Sequence, residues 1–223
     1  MLYFVPTPIG NLKDITLRAL DLFKQQTIFF CEDTRTFKKL LNAYEISLQG
    51  KEIFSFHANS PHVLAQKIAQ RGLREDIVIV SEAGTPGLSD PGKEIIKWAY
   101  EYDTPFEVLP GANALIPAVV AACFDTKNFV FMGFLPLKKW LSSKIKEIVD
   151  SSKPVFVYES IHRLKNTLQK VAEGGFDRKV FLWRELTKKF EQKECGPIAE
   201  ILLKLDKWEI PLKGEIVLGF QGK

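Results

Sequence analysis

Five short runs rich in β-branched and aromatic residues, at Leu2–Val5, Thr27–Cys31, Ile53–Phe56, Ile77–Ser81 and Phe106–Leu109, are separated by stretches with helical spacing. This alternation constrains the chain more than any other feature. Parallel strands cannot be joined by tight turns, so the strand-helix-strand rhythm predicts a parallel sheet with helical crossovers. The helix signals between the runs are specific. Ser60-Pro61 reads as an N-cap followed by proline at the first helical position, and Gly72 as the stop. Asp90-Pro91 opens a further helix in the same way, and Asp14 is expected to cap one that buries Ile15, Leu20 and Phe23 on one face.

After Pro110-Gly111 an apolar segment, Ala114–Cys123, precedes a second series of elements. Strands are expected at Phe129–Met132, Pro154–Tyr158, Lys179–Trp183, Glu191–Cys195 and Glu215–Gly219, with helices near Lys144–Val149, Ile161–Ala172 and Ile198–Leu205. These later strands are short and closely spaced, which suits a mixed sheet better than an all-parallel one. The fold class expected is therefore α/β in two domains. Residues 1–113 form an N-terminal domain with a mostly parallel sheet and helices, and residues 114–223 a C-terminal mixed α/β domain; 223 residues suffice for both cores.

Composition excludes several classes. No apolar run approaches the ~18 residues of a membrane-crossing helix, and Met1–Val5 has neither a basic flank nor a small-residue cleavage site, so a cytoplasmic protein is expected. Cys31, Cys123 and Cys195 are odd in number and scattered, which argues against both a disulfide framework and a cysteine zinc site; His57, His62 and His162 add no metal set. Residues 1–113 hold 12 Lys and Arg against 14 Asp and Glu, while residues 114–223 hold 19 against 13. The basic excess of the second half permits contact with a phosphate backbone without requiring it.

Ligands of open α/β sheets bind beyond the carboxyl ends of the strands, so the turns that follow the runs are the places to look. Val5-Pro6-Thr7-Pro8-Ile9-Gly10-Asn11 leaves the first strand. It is no dinucleotide fingerprint: GxGxxG is absent, and its prolines remove amide donors that a pyrophosphate would use. The segment SEAGTPGLSDPG, from Ser81 to Gly92, follows the most hydrophobic run. Its small residues let a ligand approach the backbone, and Glu82, Thr85 and Ser89 add polar anchors. Glu32-Asp33-Thr34-Arg35 and Leu109–Ala114 leave two further strands and should share the rim. Taken singly, the first turn reads equally well as a rigid connection, and the acidic tetrapeptide as a surface ion-pair cluster. In the second half, Tyr158–Arg163 and Trp183–Lys188 present charge at strand ends. GxxxxGK[ST], GxSxG and HExxH are absent from the chain, so P-loop, serine-hydrolase and zinc-protease chemistry have no motif here. Phe37-Lys38-Lys39 and Leu137-Lys138-Lys139-Trp140 interleave aromatic and basic residues, which suits nucleic-acid stacking and equally suits solvated lysines beside core aromatics.

In this order, PTPIGN, DITLRAL, EDTR, SEAGTPGLSDPG, LPG, GFLP, YESIHR, RELTK and KGEIVL closely resemble the bacterial 16S rRNA 2′-O-cytidine methyltransferases of the tetrapyrrole methylase, or class III S-adenosylmethionine-dependent, superfamily. The resemblance runs from Leu2 to about Leu218. It implies a two-domain homodimer that holds S-adenosylmethionine between its domains, requires no metal and acts on 16S rRNA in the small ribosomal subunit. By motif it implies cofactor contacts from Pro8, Ile9, Glu82, Ala83, Gly84, Thr85, Asn113, Ala114, Tyr158 and Trp183. Some positions depart from the common pattern. Glu82 stands where aspartate is more usual, Asn113 replaces serine or threonine, Ile161 replaces the proline of YESPHR, and Trp183 replaces a small residue. The chain also stops soon after KGEIVL, where longer relatives carry a helical extension.

A sulfonium methyl is electrophilic by itself, so the protein is expected to orient it, exclude water and assist the ribose oxygen. Glu32 and Glu159 are the carboxylate candidates for the base, with His162 as an alternative. Arg35, Arg163 and Arg184 could hold phosphates or stabilise a developing alkoxide. Two other readings stand beside this one: methylation of a tetrapyrrole or a protein side chain, and a non-catalytic ribosome-associated RNA-binding relative.

Overall fold

A computed structural model describes residues 1–56, 75–89 and 92–223. The helix signal from Ser60-Pro61 to Gly72, the residues His57 and His62, and Asp90-Pro91 lie outside the described residues. The chain divides into two compact units, Met1–Asn113 and Ala114–Lys223.

In the first unit, strands β1 (Leu2–Phe4), β2 (Ile28–Cys31), β3 (Glu52–Ser55), β4 (Ile77–Val80) and β5 (Phe106–Val108) are all parallel, in the order β3-β2-β4-β1-β5. Every residue of β2 and β4 is buried, as expected of parallel strands covered on both faces. Side-chain alternation divides the core in two. Phe29, Cys31, Val78 and Val80 pack with helices α1 (Leu17–Gln25) and α2 (Thr34–Ala43) through Ala19, Leu22, Phe23, Phe37 and Leu41. Leu2, Phe4, Ile28, Phe30, Ile77 and Ile79 pack with Ile95 and Ala99 of α3 (Lys93–Glu101). The cap of α1 differs from expectation. Thr16 Oγ1 accepts the Ala19 N–H at 3.1 Å, whereas Asp14 ends a separate 3-10 turn, Leu12–Asp14. Extended backbone at Ile15 interrupts the helical path, so the cap moves to the next side-chain oxygen.

The second unit holds β6 (Val130–Phe134), β7 (Val155–Ser160), β8 (Lys179–Arg184), β9 (Gln192–Pro197) and β10 (Glu215–Phe220) in the order β6-β7-β10-β8-β9. β6 and β7 are parallel and the other pairs antiparallel, a mixed sheet. Val155, Val157, Val180, Leu182, Ile216 and Leu218 form one core with helices α5 (Leu141–Asp150), α6 (Leu164–Glu173) and α7 (Ile198–Asp206). The opposite face carries Phe156, against which Phe124 and Phe129 pack with ring centroids 6.2 and 5.8 Å away. Helix α4 (Leu115–Ala121) lies beside β10.

Cys123 and Cys195 form a disulfide, contrary to the expectation from their spacing, with Cα atoms 6.4 Å apart and a sequence separation of 72. Folding carries the segment after α4 to the edge strand β9, a proximity that spacing rules do not contain. Cys31 is free and buried. Among the described residues, no helix is long and apolar enough to cross a membrane.

Candidate functional site

Strands β1 and β4 are neighbours, yet the helices that follow them lie on opposite faces: α1 in the cluster with Val5 and Phe29, α3 in the cluster with Leu2 and Phe4. Adjacent strands with diverging connections leave a crevice at their carboxyl ends, the ligand position of open α/β sheets. Two of the turns singled out from the sequence meet there. The Thr7 N–H donates to the Gly84 carbonyl at 3.0 Å and the Gly84 N–H returns the bond to Thr7 at 2.9 Å. The Ser81 hydroxyl donates to the carbonyls of Ala83 and Gly84, both at 3.3 Å, and folds the loop back on the strand end. The segment after β5 closes against both turns. Thr85 Oγ1 donates to the Ala112 carbonyl at 3.1 Å, and Gly111 lies so close to Pro6 that a Cβ would meet its ring at 2.6 Å.

Gly84 has φ +80°, and a Cβ there would reach Ile9 Cγ2 at 3.4 Å. Pro8, Ile9, Thr85, Asn113 and Ala114 are half-buried, while Glu82 and Ala83 face solvent. Thr7 Oγ1 is buried without a partner among the described residues. Pro6–Asn11, Ser81–Ser89 and Leu109–Ala114 contain no Lys, Arg or His. These three turns therefore supply no cation that would hold a polyphosphate. They offer small residues, an apolar wall at Ile9, an acid at Glu82 and an unsatisfied hydroxyl. That donor set fits a nucleoside carrying a positive sulfonium.

One strand over, Asp33 caps α2, accepting the Arg35 N–H at 2.7 Å and pairing with the Arg35 guanidinium at 2.9 Å. The hydrogen bonds from the Arg35 side chain and backbone hold the Asp33 carboxyl well below the usual carboxylate range, at about 2. Arg35 itself is 86% exposed. Asp33 is committed to the cap, so the half-buried Glu32 is the acid of this pair left available for chemistry.

In the second unit the strand period separates two residues adjacent in sequence. Tyr158 lies with Phe131 and Phe134, ring centroids 5.0 and 5.5 Å away. Glu159 points to the helical face and is 2% exposed. Its carboxyl accepts from Thr167 Oγ1 at 2.6 Å and from the Ser160 N–H at 2.8 Å, and it lies 3.4 Å from Arg163 Nε. Arg163 in turn donates to the carbonyls of Leu135 and Pro136 at 2.9 and 3.1 Å. Both residues were candidates for direct catalysis; the geometry instead engages them in bracing the turn after β6. His162, beside them, is exposed. Trp183 is buried, with Lys193 Nζ 4.1 Å from its ring centroid. Arg184, a candidate phosphate partner, is buried as well and donates to the carbonyls of Lys213 and Phe190, both at 2.8 Å. It ties two loops together. Sequence reasoning missed the organising roles of Thr7, Ser81 and Gly111, and the Arg163 link to Leu135 and Pro136. The strings GFLP and YESIHR had marked both ends of that link without connecting them.

The family model of the tetrapyrrole (corrin/porphyrin) methylases matches residues 1–202. "Ribosomal RNA small subunit methyltransferase I" of a Hydrogenobaculum strain is 41% identical over 219 residues, covering 97% of this chain and 94% of the relative. The protein of the same name from Bacillus subtilis is 38% identical over 226 residues, covering 100% and 75%. That of one Helicobacter pylori strain is 37% identical over 236 residues, covering 98% and 81%. Among solved structures, the methyltransferase CobJ aligns with TM-score 0.70 at 13% identity over 99% of this chain and 93% of its own. The cobalt precorrin-4 methyltransferase CbiF aligns with TM-score 0.66 at 15% identity over 98% and 93%. At such identities the structures speak to the fold.

Proposed function

The chain belongs to the tetrapyrrole (corrin/porphyrin) methylase family, and from that premise we propose that it is an S-adenosylmethionine-dependent methyltransferase acting on 16S rRNA of the small ribosomal subunit, at the ribose 2′-hydroxyl of a cytidine. The observation that carries the reading is the interlock, through Thr7, Gly84, Thr85 and Ala112, of the turns after β1, β4 and β5, which carry no cation of their own. The RNA substrate is supported by the names of relatives that match nearly the whole chain and by the basic excess of residues 114–223.

Pro8 and Ile9 supply an apolar wall for the cofactor, Glu82, Thr85 and Asn113 its polar contacts, and Ala83, Gly84 and Ala114 a backbone that can be approached closely. In the second unit the proposal assigns Tyr158 and Trp183 to the cofactor as well. When bound, S-adenosylmethionine supplies an electrophilic methyl group. The chain's own work is to orient the reactants and exclude water. Glu32 accepts the proton of the ribose hydroxyl, with His162 as the alternative base, and the exposed Arg35 meets a neighbouring phosphate. Glu159 and Arg163 act as positioning residues. A homodimer working on cytoplasmic subunits completes the proposal.

The test is incorporation of labelled methyl from S-adenosylmethionine into isolated small subunits, set against porphyrinoid acceptors, with digestion of the RNA to locate 2′-O-methylcytidine. Label in porphyrinoids alone rejects the RNA substrate. Calorimetry showing no affinity for S-adenosylmethionine rejects the enzyme.

A further inference from the structure

Between β6 and α5 the chain sets aside several local preferences at one residue. Trp140 occupies the N-cap of α5, where Ser, Thr, Asp or Asn would bind the first free amides, and makes no capping hydrogen bond. It adopts φ +72°, a region that bulky residues avoid. It is also 67% exposed, where a tryptophan is usually buried. Conflicts of this kind concentrate where function holds the chain. The neighbours are consistent with that. Leu137 is 75% exposed, and Lys139 Nζ lies 5.5 Å from the Trp140 ring centroid. Phe129–Trp140 contains Lys138 and Lys139 and no acid. The base of the turn is braced by Arg163 on the carbonyls of Leu135 and Pro136, and Arg163 is oriented by the buried Glu159.

We propose that Leu137–Trp140 is an RNA-docking turn, in which Trp140 stacks on an unpaired base while Lys138 and Lys139 meet the adjoining phosphates, and that the Glu159–Arg163 bracket presents it in a fixed orientation. The occupant is single-stranded RNA. A basic, acid-free segment matches a polyanion, and an exposed ring matches the face of an unstacked base. The assignment rests on the RNA-substrate reading, yet its test is independent of methyl transfer.

Binding of a labelled single-stranded RNA oligonucleotide to the full chain is measured by fluorescence anisotropy across a salt series, with a fully paired RNA duplex as competitor. Trp140→Ala is expected to weaken single-strand affinity roughly tenfold while the salt dependence is retained. The double variant Lys138→Ala with Lys139→Ala should lower the slope of log affinity against log salt by about 1.4, at ~0.7 per phosphate contact on a single strand. Both should bind S-adenosylmethionine like the wild type by calorimetry. Arg163→Lys, which keeps the charge and loses the fork, should lose affinity as Trp140→Ala does, and Glu159→Gln should lose it as well; wild-type RNA affinity in both overturns the bracket. Wild-type affinity and slope in both the Trp140 and the double lysine variants overturn the proposal. So does an effect of Trp140→Ala on sedimentation with RNA affinity unchanged, which would make the turn a contact between copies. A wild type that binds RNA through these residues and leaves subunits unmethylated supports the docking turn and overturns the reading of small-subunit RNA as methyl acceptor.

Discussion

Placing the cofactor against the glycine-rich loop makes a prediction that can be separated from simple loss of stability. Gly84 and Gly50 both occupy left-handed backbone, φ +80° and +74°. Gly84 sits on the rim, whereas Gly50 precedes β3 at the amino-terminal side of the sheet with nothing within 4 Å of an added Cβ. Alanine at either site incurs a similar backbone penalty, about 1–2 kcal/mol. For a chain of this size each kcal/mol lowers Tm by roughly 2–4 °C, so a fall of roughly 2–8 °C is expected in both variants. At Gly84 the new methyl lies 3.4 Å from Ile9 Cγ2, the limit of ordinary contact, so packing adds little to that loss. Ligand affinity divides them. The Gly84→Ala methyl would lie against Ile9 and the Ala112 carbonyl, both in turns of the proposed cofactor wall, and under that proposal should raise Kd at least tenfold, about 1.4 kcal/mol. Gly50→Ala should leave Kd unchanged. Calorimetric titration with S-adenosylmethionine, beside thermal unfolding of both variants, reads the two effects separately. A wild-type Kd in Gly84→Ala would refute the placement, and an equal loss in both variants would assign the effect to stability and refute it too.

Glu32→Gln should retain cofactor affinity and lower single-turnover methyl transfer by about 10²–10⁴-fold, the range for loss of a general base; an unchanged rate removes Glu32 from the chemistry. The Asp33 carboxyl, held at about 2 by Arg35, titrates below its unfolded value of about 3.9. Its charge therefore stabilises the fold fully above that unfolded value, and the contribution is lost as pH falls towards 2. The stability difference between wild type and Asp33→Asn should accordingly be constant above about pH 5 and shrink between about pH 4 and 2; a difference independent of pH in chemical denaturation contradicts this account of the cap. Reduction, or Cys195→Ser, should destabilise the second unit by about 2–4 kcal/mol. Burial pushes the Cys31 thiol up to about 12 and leaves it unreactive in the native state. Thiol titration of the denatured, unreduced chain should then find Cys31 alone, and all 3 cysteines only after reduction; three thiols without reductant would disprove the Cys123–Cys195 bond.

The parallel sheet of the first unit and the mixed sheet of the second were legible in the sequence, because strand and helix periods are written in residues only two to four positions apart. The order of short motifs from PTPIGN to KGEIVL was equally local, and it carried the family. Partnerships across the fold were another matter. Glu159 and Arg184 read as free charges at strand ends. Strand order and packing turned one inward onto Thr167 and Arg163 and drew the other onto the carbonyls of Lys213 and Phe190. The same holds for Cys123 and Cys195, joined across a sequence separation of 72, and for Thr7 with Gly84, which meet because β1 and β4 became neighbours. Local propensity sets which residues form an element and which way they alternate. The partner that each side chain finds depends on which elements become adjacent, and that was decided by burying all of them at once.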